Sequence, residues 1–280
     1  MSLEDFRLLR DLVYEHAGLV YDESALMLFD RRLSERLEAL GLANYQAYYK
    51  YLRFDAHNQA EMEEAVERLT TKETYFFRQE YQLRAFQAEL LPRLEEVNAR
   101  SRRLLVWSAG CSTGEEAYTL AALILESGRF EGWDVRVIGT DLSKHCVAHA
   151  RRGVYQASSL RATSARDKSR YFLELDDGFH VAGQVKKLCQ FGQMNLFDSG
   201  RGNLVGRVDA IFCRNVLIYF DVRSRKRVID HLYQRLSPGG YLMLGHSESL
   251  LNLSTAFELV HLRDDLVYRK PLGAERSGGF

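Results

Sequence analysis

Through residues 2–69 the apolar positions recur at helical spacing. Leu3, Phe6, Leu9, Leu12 and Val13 make one stripe, which Gly18 closes as a C-cap. A second helix is predicted from about Ser24, with Leu26, Leu33, Leu37 and Leu40 on one face and Gly41 at its end; two more follow near residues 45–52 and 59–69. Together these predict a small helical bundle. Residues 81–97 then read as a linking helix, and residues 98–103 as a polar hinge.

Beyond the hinge the period changes. A short apolar run at 104–107, a turn bracketed by Gly110 and Gly114, and a helix from Glu115 make a strand, glycine loop and helix in succession. The next strand, 135–139, leads to Asp141, after which Ser143 can cap a helix through Ala150. Turn signals at Asp176-Asp177-Gly178 and Ala182-Gly183 divide residues 171–193 into short runs, read as a small antiparallel insertion. Residues 208–213 form a buried-type strand, and Asp221 caps an amphipathic helix to about Leu236. Ser237-Pro238-Gly239-Gly240 is expected to stop that helix before a strand at 241–245. A closing hairpin at 257–262 and 266–269 and a mobile tail at 271–280 complete the chain. The pattern is that of a doubly wound α/β domain, in which ligands sit beyond the carboxyl ends of the strands.

Composition fits this division. With 280 residues, 46% hydrophobic content and 3 prolines, the chain can bury one α/β core and a smaller helical unit. The 38 basic and 38 acidic residues cancel, which argues against a nucleic-acid partner held by bulk charge. No apolar run has membrane-spanning length, and MSLEDFRLLR begins an amphipathic helix without a signal-peptide core, so a cytoplasmic location without membrane insertion is expected. Cys111, Cys146, Cys189 and Cys213 are far apart and lack histidines at ligand spacing; they are read as reduced thiols, with no metal site. Cys111 is read as a small residue suited to a tight turn. Arg31, Arg32 and Arg36 are expected on the exposed side of the second helix, as solvated surface or as a docking face for an acidic partner.

The glycine loop narrows the ligand. Gly110-Cys111-Ser112-Thr113-Gly114 lacks the third glycine of a dinucleotide fingerprint and is followed by Glu115 and Glu116. Two carboxylates there would repel a diphosphate and suit a cation. S-adenosylmethionine, with a sulfonium and an ammonium and no phosphate, fits better than NAD or ATP, and Asp141 can accept from the ribose hydroxyls. The alternative is that both glutamates only complement the helix dipole.

Six strings in order carry a closer likeness: TTKETYFFR (70–78), WSAGCSTGEEAY (107–118), GTDLS (139–143), MNLFD (194–198), CRNVLIYFD (213–221) and SPGGYLMLGHSE (237–248). From the N-terminal helices to about Arg269 the sequence resembles the CheR family, the chemotaxis receptor glutamate methyltransferases. The resemblance implies a Rossmann-like, S-adenosylmethionine-dependent methyltransferase domain (104–270, with the small β insertion at 171–193) behind an all-helical domain (1–80) and a linker (81–103). It implies cofactor contacts from Thr74, Arg78, Glu116, Asp141, Asn195, Leu196, Asn215 and Val216. Glu116 would meet the methionyl ammonium, Asp141 the ribose, and Asn195 with Leu196 the adenine. Arg78 and Tyr219 match the two polar residues that the family sets beside the transferred methyl. Read without the family, Arg78 would pair with Glu80 or another surface acid, and Tyr219 would join Phe220 in a strand-end aromatic cluster. Lys72 stands where the family usually has asparagine; it is left outside the site, with its ammonium in solvent.

The implied reaction methylates glutamate side chains in the cytoplasmic helical domain of chemotaxis receptors, leaving S-adenosylhomocysteine. A receptor C-terminal tether peptide would dock at the β insertion, by strand addition to an exposed edge. The enzyme would be a monomer, recruited to receptor clusters. Two other functions remain open from the residues: a methyltransferase for another protein or a small molecule, and a scaffold that binds the cofactor without turnover.

Overall fold

The caps set the N-terminal helices. In a computed structural model, which describes residues 1–56, 58–198 and 205–273, helix α1 (Leu3–Ala17) opens with a capping box between Ser2 and Asp5. It ends at Gly18 (φ 71°), whose N–H donates to the Tyr14 carbonyl at 2.8 Å. Helix α2 (Leu26–Leu40) ends the same way at Gly41, α3 (Tyr45–Phe54) starts on the Asn44 cap, and α4 (Asn58–Leu69) completes the bundle. Phe6, Phe29, Leu33, Tyr48 and Val66 are buried between them, each such side chain contributing about 1.5–3 kcal/mol.

Arg36 departs from the expected exposed stripe. Its guanidinium reaches inward to the buried Glu61 at 2.9 and 2.5 Å, and the Tyr48 hydroxyl donates to the same carboxylate at 2.8 Å. A buried acid needs such compensation, so only Arg31 and Arg32 stay on the surface. The linking helix is also not uniform: α5 (Glu80–Ala85) passes through a π turn (Phe86–Leu90) into α6 (Leu91–Asn98). Pro92, in the first turn of α6, has no N–H to continue an α ladder across the junction.

The second half alternates strands and helices: β1 (Arg103–Ala109), α7 (Glu115–Ser127), β2 (Asp134–Asp141), α8 (Lys144–Arg152), β3 (Val154–Tyr155), α9 (Ala165–Tyr171), β4 (Phe172–Leu175), β5 (Gly178–Val181), α10 (Gly183–Lys186), β6 (Cys189–Gln193), β7 (Val208–Cys213), α11 (Val222–Arg235), β8 (Leu236–Leu244), β9 (Glu258–His261) and β10 (Leu266–Arg269). The main sheet has the order β6-β2-β1-β7-β8-β10-β9. Its first five strands are parallel, and β10 runs antiparallel to both neighbours. Alternate residues of β1 enter opposite cores. Leu105, Trp107 and Ala109 pack on the side of α11 and the helical bundle, whereas Leu104 and Val106 face α7. The sheet order reverses between β1 and β7, which opens a crevice at their carboxyl ends.

Two further expectations need correction. The segment 184–193 is not part of the antiparallel insertion: Gly183–Lys186 is helical, and β6 pairs in parallel with β2 from Val137↔Cys189 to Asp141↔Gln193. The small sheet is instead β3-β5-β4, taking one strand from upstream. The Ser237–Gly240 segment does not precede the next strand but is a bulge inside it, since Val208 pairs with Leu236 and Ala210 with Tyr241. Gly239 and Gly240 exchange hydrogen bonds with Lys270, holding the extra residues in the sheet. Of the expected tail, residues 274–280 lie outside the described residues.

Candidate active site

A cavity of about 300 Å³ lies at the carboxyl ends of β1, β2 and β7, walled on its other side by residues 69–75 and by the chain leaving α1. The loop after β1 forms its floor. Gly110 (φ 82°) and Cys111 both donate backbone N–H groups to the Thr140 carbonyl, at 2.8 and 2.9 Å. A Cβ on Gly110 would stand 2.5 Å from a Val216 methyl, so the loops after β1 and β7 can approach only through glycine. Cys111 is buried and free, and burial pushes its thiol far up, in keeping with a small packing residue.

The first turn of α7 separates the two glutamates. Glu115 turns into the protein, accepting from Thr113 Oγ1 at 2.6 Å and Ser159 Oγ at 3.1 Å. Glu116 lines the cavity; it accepts from Ser108 Oγ at 2.7 Å and from Arg214 Nη1 at 3.0 Å. Burial raises its carboxyl above the usual range, against the pull of Arg214 and Ser108. Arg214 itself is buried and fully engaged: Nε donates to Gln82 Oε1 at 2.8 Å, and Nη2 to the Arg78 carbonyl at 2.6 Å and Gln79 Oε1 at 2.7 Å. This cation joins the loop after β7 to the segment entering α5.

Asp141, at the end of β2, is held by backbone instead. The Ser112 amide donates to Oδ2 at 2.7 Å and the Ser143 amide to Oδ1 at 2.9 Å. Burial raises this carboxyl too, opposed by those amides and by Lys72. Lys72 is not directed simply to solvent: it lines the cavity and bonds the buried Glu67 at 3.2 Å. His145 Nδ1 also contacts Glu67, at 2.5 Å. Glu64, Glu67 and His145 bring ligand atoms within 4.8 Å of one another, but Arg68 and Lys72 already bond the two carboxylates.

The cavity wall takes in all nine residues expected at the site, and their local roles differ. Thr74 and the buried Leu196 contribute surface. Asn195 spends its side chain on the fold: Nδ2 donates to the His16 carbonyl at 2.7 Å and Oδ1 accepts from the Phe197 amide at 3.0 Å. Its expected use of the amide to read a ring edge therefore competes with an anchor for α1. Asn215 adopts a left-handed φ of 58°, and its Oδ1 is buried with no hydrogen-bond partner among the described residues. Val216 packs on Gly110. Arg78 donates to the Glu73 carbonyl at 3.0 Å and lies 5.7 Å from the Tyr75 ring centre; Glu80 pairs with Arg84 instead. Tyr219 sits on a 3₁₀ turn (Leu217–Tyr219) and lines the cavity while remaining partly exposed, and its carbonyl accepts the Val20 N–H at 3.0 Å.

The sequence pattern of the CheR methyltransferase all-alpha domain matches residues 4–70, and that of the CheR methyltransferase SAM-binding domain matches residues 72–265. The chain belongs to the CheR methyltransferase family. Chemotaxis protein methyltransferase 2 of Vibrio cholerae is 34% identical over 270 residues, covering 95% of this chain and 93% of its own. Chemotaxis protein methyltransferase 1 of Pseudomonas aeruginosa is 32% identical over 272 residues, covering 95% and 97%. The Borreliella burgdorferi chemotaxis protein methyltransferase is 33% identical over 245 residues, covering 85% and 86%. The chain is thus an S-adenosylmethionine-dependent methyltransferase of chemotaxis.

The residues of this CheR cavity fit that cofactor. Its wall offers half-buried carboxylates for positive charge and hydroxyls, and Asn215 Oδ1 is an acceptor without a donor among the described residues. Two residues escaped the sequence reading. Tyr21 lines the same cavity, its hydroxyl donating to the Leu69 carbonyl at 3.0 Å and its pKa pushed up to about 12 by burial and then by Tyr219. Arg214 lay inside a quoted string, yet only its four bonds reveal its place. Among the described residues of this CheR protein, no helix is long and apolar enough to cross a membrane.

Proposed function

We propose that this CheR methyltransferase acts on glutamate side chains in the cytoplasmic helical domain of chemotaxis receptors, forming γ-glutamyl methyl esters. One observation carries the reading. Of the three cations in the cavity wall, Arg214 is bonded to Glu116 and Lys72 to Glu67, whereas Arg78 has no carboxylate partner among the described residues. A guanidinium left free beside a methyl-donor site suits an incoming carboxylate.

Bound S-adenosylmethionine supplies an electrophilic sulfonium methyl. Glu116, with Asn215 Oδ1, would hold its ammonium end, Asp141 the ribose, and Leu196 the adenine face. The substrate glutamate, with an ordinary pKa of about 4.3, is already a carboxylate at neutral pH and needs no general base. Arg78 fixes one carboxylate oxygen, and the Tyr219 hydroxyl orients the other. Positioning then supplies most of the rate. Arg214 keeps Arg78 in place through its backbone carbonyl and balances the charge of Glu116.

The small sheet supports a tether site. Strand β4 is an edge of β3-β5-β4, and Leu173 and Leu175 on it are exposed, which suits addition of a receptor C-terminal peptide as a further strand. We place the enzyme in the cytoplasm as a monomer recruited to receptor clusters, with residues 1–80 facing the receptor and 104–270 carrying the chemistry. The test is transfer of labelled methyl to purified receptor fragments, followed by alkaline treatment. Volatile, base-released label is expected; alkali-stable label, or none on fragments whose glutamates are intact, would refute glutamate esterification.

A further inference from the structure

The loop that carries Asn215, Val216 and Tyr219 runs from β7 through the short 3₁₀ turn to α11. Three of its backbone amides converge on one side chain, Glu248, in the turn that follows β8. Oε2 accepts from the Asn215 amide at 2.9 Å and from the Gly245 amide at 2.7 Å. Oε1 accepts from the Val216 amide at 2.9 Å and from the Ile218 amide at 3.3 Å. A carboxylate is the only side chain that presents two acceptor oxygens and no donor, so four N–H groups facing one point require it. Glu248 does not touch the cavity itself.

Three features depend on this arrangement. The left-handed backbone at Asn215 is unusual for a non-glycine residue and sets the course of a side chain whose Oδ1 is buried and unpartnered among the described residues. Val216 is seated within the gap that Gly110 leaves open. Tyr219 follows Ile218, the last amide on the clamp. Gly245 is part of the same fit, because a Cβ there would lie 2.7 Å from Glu248 Oε2 and 2.9 Å from the Asn215 nitrogen.

We infer that Glu248 is a positioning residue, an anionic clamp that sets the cofactor-facing conformation of the 215–219 loop from outside the cavity. The inference rests on the reading of Asn215, Val216 and Tyr219 as site residues. Replacing the carboxylate by an amide turns one of its two acceptors into a donor facing N–H groups, so the loop loses its left-handed turn without losing bulk.

The experiment is calorimetric titration of the full chain with S-adenosylhomocysteine, for wild type, Glu248→Gln, Glu248→Asp, Gly245→Ala and Asn215→Ala. Glu248→Gln is expected to weaken the dissociation constant about tenfold or more at unchanged stoichiometry, and to lower turnover at saturating cofactor by a further factor of similar size. Glu248→Asp should recover part of both, and Gly245→Ala should shift both in the direction of Glu248→Gln while keeping the charge. Should Glu248→Gln fail to fold, Gly245→Ala carries the test alone. A loss confined to stoichiometry, with wild-type affinity per folded molecule, or wild-type affinity and turnover in Gly245→Ala, would overturn the clamp. Wild-type affinity in Asn215→Ala would instead overturn the assignment of the loop to the site.

Discussion

Two half-buried acids line the cavity and are accommodated by different means. Glu116 is compensated by a side-chain cation, Arg214, which also grips Gln79, Gln82 and the Arg78 carbonyl. Asp141 is compensated by two backbone amides of the loops that flank it. Both carboxyls are raised by burial. The difference lies in what each end can transmit. An acid held by amides is fixed wherever the backbone is fixed, whereas an acid held by an arginine shares that arginine with the segment bearing Arg78, which we propose faces the substrate. The Asp141 end should therefore govern affinity alone, and the Glu116 end should couple cofactor binding to the transfer geometry.

Arg214→Ala is the severest way to break this contrast. It leaves the half-buried Glu116 without its cation, at a cost of up to about 3–5 kcal/mol, and thermal unfolding should show a large fall that Glu116→Gln in the same chain partly restores. If Arg214→Ala melted like wild type, the lattice around Glu116 would not be the element that joins the two segments. Next in size, Arg78→Ala should lower turnover by about a hundredfold or more, in the range seen for groups that act mainly at the transition state, with S-adenosylhomocysteine affinity changed far less. Equal losses in affinity and turnover would reassign Arg78 to cofactor binding. Tyr219→Phe should likewise retain cofactor binding.

Asp141→Ala removes a charged acceptor worth about 1.5–3 kcal/mol, so calorimetry should show affinity weakened about ten- to a hundredfold, with turnover at saturation largely kept. Smaller again is a pH effect. Because the folded protein holds both acids above their unfolded values, their protonation on acidification adds stability as pH falls from neutrality toward the ordinary carboxylate range. Binding of a cationic ligand runs the other way, since it needs them ionised. Affinity for S-adenosylmethionine should thus decline at a higher pH than free carboxylates titrate, without parallel loss of melting temperature. The smallest effect is expected for Lys72→Asn, whose partly exposed pair with Glu67 is worth about 0–1 kcal/mol; a large gain in affinity there would mean that the lysine opposes the cofactor's charge directly.

The sequence by itself determined the elements and the order of the chemistry. Gly18, Gly41, Asn44 and Asp221 punctuate helices by local sterics and hydrogen bonds, which act within a few residues and so can be read from a string. The glycine at 110 and the acids at 116 and 141 were legible for the same reason. What only the tertiary structure decided involves partners far apart in the chain. Arg36 turned inward because Glu61 is buried, Lys72 found Glu67, and Asn195 was drawn to His16. The run at 189–193 joined the main sheet because the edge of β2 offered it a parallel partner, and residues 237–240 became a bulge because Lys270 satisfies their backbone. Apolar periodicity reports which face of an element is buried; it does not report which buried polar group lies opposite, and desolvation makes that pairing decide where the charged side chains go.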